Sequence, residues 1–312
     1  MADLTTLVGL TNDLIKPAIA AASTRAKIEE MKSWVYFGEG PSDQVAVVST
    51  VNLGLPAAAS IGDRAADVDE TRPADALTKT TSYTPYRTNA AYSAPEMNRL
   101  MNAALSGNAA EYGEILADGI FKCFSRVLAS IRAMITGALG TATVPDLSAG
   151  TDFLAASHTL SAGGPYANNG TLGLDTAALQ TYVDAMTLEQ DWLGEYTNAV
   201  PSVLIASSAS KITAAVKSAY GSSALDANIG FGMKGVVLPG LGDFWALSSG
   251  PGRYGVRVDF RARGAAPGDV GGFPWVGEPY IDKSGRYIIP YGCDYACYAT
   301  TYYGLFVSNG TT

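Results

Sequence analysis

Residues 109–139 read AAEYGEILADGIFKCFSRVLASIRAMITGAL, and the fold turns on this stretch. Leu116, Ile120, Cys123, Phe124, Val127, Leu128, Ile131, Met134, Ile135 and Leu139 recur at steps of three and four, which is the spacing of one helix face. Lys122, Arg126 and Arg132 fall off that stripe, and Gly140 offers a left-handed stop. The spacing predicts one helix over 109–139, a rod of roughly 45 Å at 1.5 Å per residue. Globular helices average only about 11–12 residues. A length this far above the mean suits a scaffold spine better than an ordinary core helix.

Upstream of the spine, Pro95 opens a short helix bearing Met97, Leu100, Met101 and Leu105, which Gly107 breaks. Before that, Lys79–Tyr92 is rich in β-branched and aromatic residues and reads as a strand. Pro85 donates no N–H, so this strand belongs at an edge or a bulge. Gln44–Val51 is a second, Val-rich strand. Between the two, Leu55–Asp75 holds five acids, two arginines and small residues, with neither helical nor strand period. Two strands flanking such a polar tip describe an extended hairpin. An arm of ~15–20 residues at ~3.3 Å each reaches roughly 50–65 Å. A hairpin that long needs a partner surface. Further upstream, residues 11–34 read as a helix with Pro17 in its first turn. Ile19, Ala22, Ala26, Met31 and Trp34 share a loose stripe and Ile28 lies off it. An ordinary N-terminal helix and an inter-subunit arm both fit.

Downstream, residues 140–173 are loop-like, with Gly163-Gly164-Pro165 and Asn168-Asn169-Gly170. Leu174–Met186 reads as a helix with Asp175 near its start, Pro201–Ala206 as a buried strand, and Ser210–Tyr220 as a helix ended by Gly221. Val236–Leu238, Phe244–Leu247, Tyr254–Arg261 and Tyr287–Val307 carry strands and turns. The chain is α+β, without internal repeats.

The 312 residues include 47% hydrophobic but only 16% charged residues, below the usual ~25%. With 34 Gly and 17 Tyr, that composition hints at a surface covered by neighbours. A net charge of −8, with no basic stripe, speaks against a sequence-independent DNA binder. No apolar run reaches the ~18 residues a membrane span needs, and no signal-peptide pattern opens the chain. Three cysteines, Cys123, Cys293 and Cys297, form neither a disulfide framework nor a zinc pattern, which fits synthesis in a reducing cytosol.

Catalytic constellations fail one by one. His158 is the only histidine, so a metal or nucleophile site built on it lacks a second nitrogen, and a structural hydrogen bond suits it better. Gly250, Gly252 and Gly255 match G-x-G-x-x-G, but the following Val256–Arg261 alternates like a strand, so a hairpin turn is expected instead of a dinucleotide site. Cys293 and Cys297, four apart on one strand face, would sit ~13 Å apart, too far for a disulfide, and read as buried thiols. The acids of 63–75 lack EF-hand spacing. No cofactor and no metal are expected.

The order of elements resembles a known family. The run Thr80-Thr81-Ser82-Tyr83-Thr84-Pro85-Tyr86-Arg87-Thr88-Asn89-Ala90-Ala91-Tyr92-Ser93-Ala94-Pro95-Glu96-Met97 follows a polar hairpin tip and leads through a short helix into the spine. It resembles the extended-loop (E-loop) and spine segment of Hong Kong 97-type major capsid proteins of tailed bacteriophages. Phe153-Leu154-Ala155-Ala156-Ser157-His158 before Leu174–Met186, and Pro201-Ser202-Val203-Leu204-Ile205 before a helix, look like Mu-type head subunits. The resemblance spans most of the chain and rests on order and pattern.

That resemblance implies an N-terminal arm over 1–41, an E-loop hairpin over 42–94, a peripheral (P) domain over 95–195 with the spine helix at 109–139, an axial (A) domain over 196–282, and return strands of the P domain over 283–312. It implies a virion subunit made in the host cytoplasm that assembles through hexamers and pentamers into an icosahedral or prolate head. Its partners would be itself, a portal, scaffolding or decoration proteins, and packaged double-stranded DNA without sequence-specific contact. Inter-subunit residues are expected at Asp63, Arg64, Asp67, Asp69, Glu70 and Arg72 of the tip, and at Trp34. Lys79 is the only lysine between Lys32 and Lys122 and lies near the hairpin base, so isopeptide crosslinking is not expected. An encapsulin-like nanocompartment shell shares the fold and is the alternative. A hydrolase or nucleotide enzyme is disfavoured by the single histidine and the failed glycine motif, and a tail-tube protein by the spine helix.

Overall fold

A computed structural model describes residues 4–40, 46–51, 77–138, 143–144, 151–155, 166–190, 196–220, 233–251, 255–262, 273–299 and 302–310. Chain order begins with helices α1 (Leu4–Arg25) and α2 (Ile28–Met31). Strands β1 (Tyr36–Gly40), β2 (Ala46–Val51), β3 (Leu77–Ser82) and β4 (Thr84–Tyr92) follow, then helices α3 (Ala94–Leu105) and α4 (Ala110–Ile135). After the short strands β5 (Thr143–Val144), β6 (Thr151–Asp152) and β7 (Asn169–Gly170) come α5 (Thr176–Thr187), β8 (Val203–Ala206) and α6 (Ala209–Tyr220). The chain closes with β9 (Lys234–Val237), β10 (Trp245–Ser248), β11 (Val256–Arg261), β12 (Trp275–Val276), β13 (Tyr280–Ile281), β14 (Tyr287–Ala299) and β15 (Leu305–Ser308).

The N-terminal helix differs from the one expected over 11–34. It starts at Leu4, places Pro17 in its interior, and ends at Arg25. Lys27 adopts a left-handed backbone, φ 53°, and α2 starts anew. That kink re-aims the following turn, so Ile28, off the stripe of a straight helix, is buried together with Met31 and Trp34. α1 lies along α4. The Thr11 and Tyr112 hydroxyls meet at 2.6 Å, and Arg25 pairs with Asp118 and stacks on Phe121.

The short helix α3 begins with a complete capping box. The Ser93 hydroxyl accepts from the Glu96 N–H, and the Glu96 carboxylate accepts from the Ser93 N–H at 2.9 Å. α4 buries Leu116, Ile120, Cys123, Phe124, Val127, Ile131, Met134 and Ile135, as the three-four spacing requires, and Leu128 is partly buried beside them. It stops earlier than expected. Gly137, φ 69°, supplies the left-handed C-terminal residue three positions before Gly140, which lies outside the described residues, as does Leu139. Each fully buried Leu, Ile or Phe on this stripe contributes roughly 1.5–3 kcal/mol.

Two sheets pack around this helix. In the six-stranded sheet β14 is the hub: it pairs antiparallel with β11, β12, β13 and β4, and β1 adds to β11 in parallel. Alternate residues of β14 (Ile289, Tyr291, Cys293, Tyr295, Cys297) face the α4 core. Gly119 lets the Tyr291 ring rest on the helix backbone, since a Cβ there would overlap that ring. The Tyr291 hydroxyl then donates to the Ile115 carbonyl at 3.3 Å. Pro85 sits at the β3 end of β4, whose only strand partner among the described residues is β14.

The five-stranded sheet has the order β7-β15-β10-β8-β9. One face (Ile205, Val236, Ala246, Leu305, Val307) joins the α4 core, and the other (Leu204, Ala206, Trp245, Leu247, Phe306) packs with Leu179, Tyr182, Met186 and Ile212 of α5 and α6. The Asp175 carboxylate caps α5, accepting from the Ala178 N–H at 2.8 Å. The glycine motif corrects one expectation. Gly250 and Gly255 have φ 115° and 92°, but the link between them joins β10 of one sheet to β11 of the other, so it is a crossing between sheets and not a hairpin turn. Gly252 lies outside the described residues. A strand follows, and the strand–turn–helix frame of a dinucleotide site is absent at this link.

Candidate assembly surface

The tip residues Asp63, Arg64, Asp67, Asp69, Glu70 and Arg72, and also His158, lie outside the described residues. Trp34 is 1% exposed and packs in the chain's own core, so its ring is not on an exposed face of the subunit. Among the described residues no group of three or more His, Cys, Asp or Glu is placed to hold a metal ion, and no helix is long and apolar enough to cross a membrane.

The polar surface that the fold does build is the outer face of the six-stranded sheet, opposite α4. Alternation creates it. Val256, Val258 and Phe260 of β11 point to the core, which turns Arg257, Asp259 and Arg261 outward. On β14 the same alternation turns out Asp294, Ala296 and Tyr298, and β4 contributes Arg87 opposite Gly292. Arg87 pairs with Asp294 at 2.5 Å, and Arg261 approaches the same carboxylate at 3.8 Å. Arg257 lies 3.6 Å from Asp259, which also accepts from the Tyr298 hydroxyl. Arg257 covers the Tyr36 ring at 4.3 Å and Arg87 the Trp275 ring at 5.2 Å. Tyr83 completes the face, packed on Ala296 and Tyr298.

Two features of this face go beyond packing. Its carboxylates are covered, with side-chain exposures of 5% for Asp259 and 9% for Asp294, whereas Arg257, Arg261 and Arg87 keep 27%, 31% and 47%. The exposed charge is therefore cationic. Several polar atoms here are also withdrawn from solvent without a hydrogen-bond partner among the described residues, both donors (Nε of Arg257, Nε1 of Trp275, the Tyr83 hydroxyl) and acceptors (Oδ1 of Asp259 and of Asp294). Burial raises the Tyr83 phenol above its ordinary range, and the Asp259 charge adds to that. The sequence half-revealed this site. The outward set Arg257, Asp259, Arg261 is visible once Val256–Arg261 reads as a strand, but nothing local pairs Arg87 with Asp294, 207 positions apart.

A second polar site lies beside the five-stranded sheet. Glu189, just past α5, is fully buried. Its carboxylate accepts from the Gly304 N–H at 2.9 Å and from the Thr197 hydroxyl at 2.7 Å. Burial pushes its carboxyl up to about 7 despite those bonds. The cysteines are free and buried, as the spacing of Cys293 and Cys297 predicts for that pair. The Cys297 thiol lies 3.3 Å from the Met134 sulfur, and burial pushes it up to about 12. Cys297 is therefore not a reactive thiolate.

No protein-family model and no curated protein matches the chain. Its backbone architecture is that of shell subunits: the chain has the Hong Kong 97-type fold of tailed-phage capsid proteins. The likeness that carries this is to a subunit described as the capsid of a native GTA particle computed with C5 symmetry. It has 16% identity, covers 92% of this chain and 89% of that one, and gives a TM-score of 0.53. Two other solved structures align over similar lengths. The capsid of Ralstonia phage GP4 has 11% identity, covers 88% and 86%, and gives a TM-score of 0.49. The satellite phage P4 procapsid including its size determination (Sid) protein has 12% identity, covers 96% and 90%, and gives 0.48.

Proposed function

We propose that this chain is a major capsid protein, a structural subunit that assembles with copies of itself through hexamers and pentamers into a phage head around double-stranded DNA. The observation that carries the reading is the end-to-end likeness to a capsid subunit, nine-tenths of each chain, in place of one shared lobe. A surface that is cationic over buried acids, rich in Arg, Tyr and Trp, supports it, because those residues dominate protein interfaces. The acidic balance of the chain, −8, suits a wall that lets packaged DNA enter and leave. In this reading residues 95–195, with α4 as the spine, and the return strands over 283–312 are the P domain, residues 196–282 are the A domain, and β2–β3 is the base of the E-loop. The head would also meet a portal and scaffolding or decoration proteins. The nanocompartment alternative is not favoured, since the likeness is to capsids.

Electron microscopy of the purified chain, with light scattering across concentrations, tests this. Rings or shells are expected, and a compact monomer at every concentration overturns the reading. Replacing residues 61–73 by an Asn-Gly turn, which a hairpin accepts, should leave a folded subunit with native circular dichroism that no longer closes into shells. Particles of normal size at the wild-type concentration would show the tip to be decoration.

A further inference from the structure

We propose that Glu189 is a proton-operated latch on the junction between the two sheets: its protonated carboxyl clamps the link from β14 to β15, and its ionised form lets that junction open. Among the described strands the chain passes directly from one sheet to the other twice, from β10 to β11 through 249–255 and from β14 to β15 through 300–304. The two links meet at one point. The Ser249 N–H donates to the Gly304 carbonyl at 2.9 Å, and the Ser249 hydroxyl donates to the same oxygen at 3.3 Å. Gly304, φ 70°, leaves no room for a Cβ against the Ser249 hydroxyl. Glu189 grips the other side of that glycine, both of its oxygens accepting from the Gly304 N–H at 2.9 and 3.1 Å. The latch lies within one subunit, so it stands whether or not the chain assembles.

The surroundings suit a carboxyl that gains and loses a proton. The groups acting on it are the Thr197 and Tyr166 hydroxyls and the Gly304 N–H, all uncharged. The titratable groups beside it are two phenols, Tyr166 from the stretch before β7 and Tyr302 from the β14–β15 link, whose rings stack at 5.7 Å. Burial, with the Glu189 charge adding to it, pushes the Tyr166 phenol above its ordinary range, so it stays neutral. In the protonated form every polar atom of the latch has a partner. One oxygen accepts from Gly304, the other donates to the Thr197 hydroxyl at 2.7 Å, and that hydroxyl turns its own proton to the Glu189 carbonyl at 3.5 Å. The ionised form keeps its donors but holds a full charge out of water with no cation acting on it.

Thr197 is the most exposed of these partners. It is half-buried between Tyr196 and Asn198, both exposed, and Asn198 has a left-handed backbone, φ 53°. Opening there lets the carboxylate hydrate and returns it to its ordinary value of 4.5, whereas burial in the closed site holds it up at about 7. The closed junction therefore keeps its full advantage below pH 4.5 and loses it as pH rises to 7. The open fraction rises about tenfold per pH unit across that range and levels off above it.

Hydrogen exchange of the full, unassembled chain, read by mass spectrometry and corrected for the intrinsic exchange rate at each pH, tests the latch. From pH 4.5 to 7 the opening read at the amides of 302–308 should rise roughly a hundredfold or more in the wild type. It should stay constant in Glu189→Gln, whose side chain matches the carboxyl in size and carries no charge at either pH. Above pH 7 those amides should exchange roughly tenfold or more faster than the amides of 116–135 in α4, because only the junction opens. A flat wild-type profile overturns the proposal, as does a Gln variant with the wild-type slope. Equal protection of the junction and α4 also overturns it, since exchange then reports unfolding of the whole subunit. Where Glu189→Gln does not fold, the wild-type profile decides alone: a rise that levels off near pH 7 is expected, and a rise that continues unchanged to higher pH counts against Glu189 as its source.

Discussion

The two faces of β14 are a controlled comparison. Thirteen residues of one strand, all but Pro290 buried, present Ile289, Tyr291, Cys293, Tyr295 and Cys297 to α4 and Asp294, Ala296 and Tyr298 to the other side. The first face meets a helix of the same chain that matches it ring for groove. The second meets two buried acids, three arginines and several donors with no acceptor. Similar burial thus serves two ends: a dry face sealed by α4, and a polar face of paired charges with several polar atoms that no described residue satisfies.

The largest expected effect tests the sealed face. Phe124→Ala removes a fully buried ring that also meets Phe273 edge-on at 5.8 Å, and should cost ~3–5 kcal/mol. A chemical denaturation midpoint unchanged from wild type would disprove the packing assigned to that side.

Next is a contrast between acids. Asp294 is buried against two guanidiniums, while Glu189 is buried against neutral donors from Thr197 and Gly304. Burial raises the Glu189 carboxyl from 4.5 to about 7 in the fold, so the folded state prefers the protonated form. Its contribution is then full below pH ~4.5 and lost as pH rises through about 7, a swing on the order of 3 kcal/mol. Melting curves of the wild type and of Glu189→Gln, taken from pH 4.5 to 8, should diverge with rising pH, the wild type losing stability relative to the variant. Parallel curves would show that Glu189 reaches water.

A smaller effect probes fit on the sealed face. Gly119→Ala in an exposed helix would gain about 1 kcal/mol. Against the Tyr291 ring it should instead lose roughly 1–3 kcal/mol through overpacking. A more stable variant would mean that the ring can retreat. The smallest effect belongs to the solvated surface. Arg25 and Asp118 pair with side chains each 58% exposed, and Asp118→Ala should change stability by ~0–1 kcal/mol. A loss beyond 2 kcal/mol would mean that the Arg25–Asp118 pair is screened from solvent.

The sealed face was the legible one. Its helix declares itself through apolar spacing, and Ser93 and Glu96 mark the start of the helix before it, because both signals are local. The kink at Lys27 was not legible: a left-handed lysine has no sequence mark, and it turned Ile28 into the core. The end of α4 was misplaced because Gly137 and Gly140 are equally good stops in sequence, and the helix takes the earlier one. The link from 250 to 255 read as a hairpin because alternation reveals a strand but not which sheet it joins. The outer face was half-legible for the same reason. Arg257-x-Asp259-x-Arg261 shows its alternation, whereas the Arg87–Asp294 pair and the burial of Glu189 exist only after long-range register is set.

The position of β14 and β15 has a consequence for how the subunit is made. β14 is the hub of one sheet, and β15 sits between β7 and β10 in the other, yet both belong to the last stretch of described chain, 287–308. Neither sheet can close until those residues have left the ribosome, and their partners lie as far back as Thr84. Such long-range pairing folds slowly. Until synthesis reaches that stretch, the strands waiting for it have open edges, and a chain halted short of it has no finished sheet to offer a neighbour. A chain released before Leu305 therefore lacks the strand that joins β7 to β10.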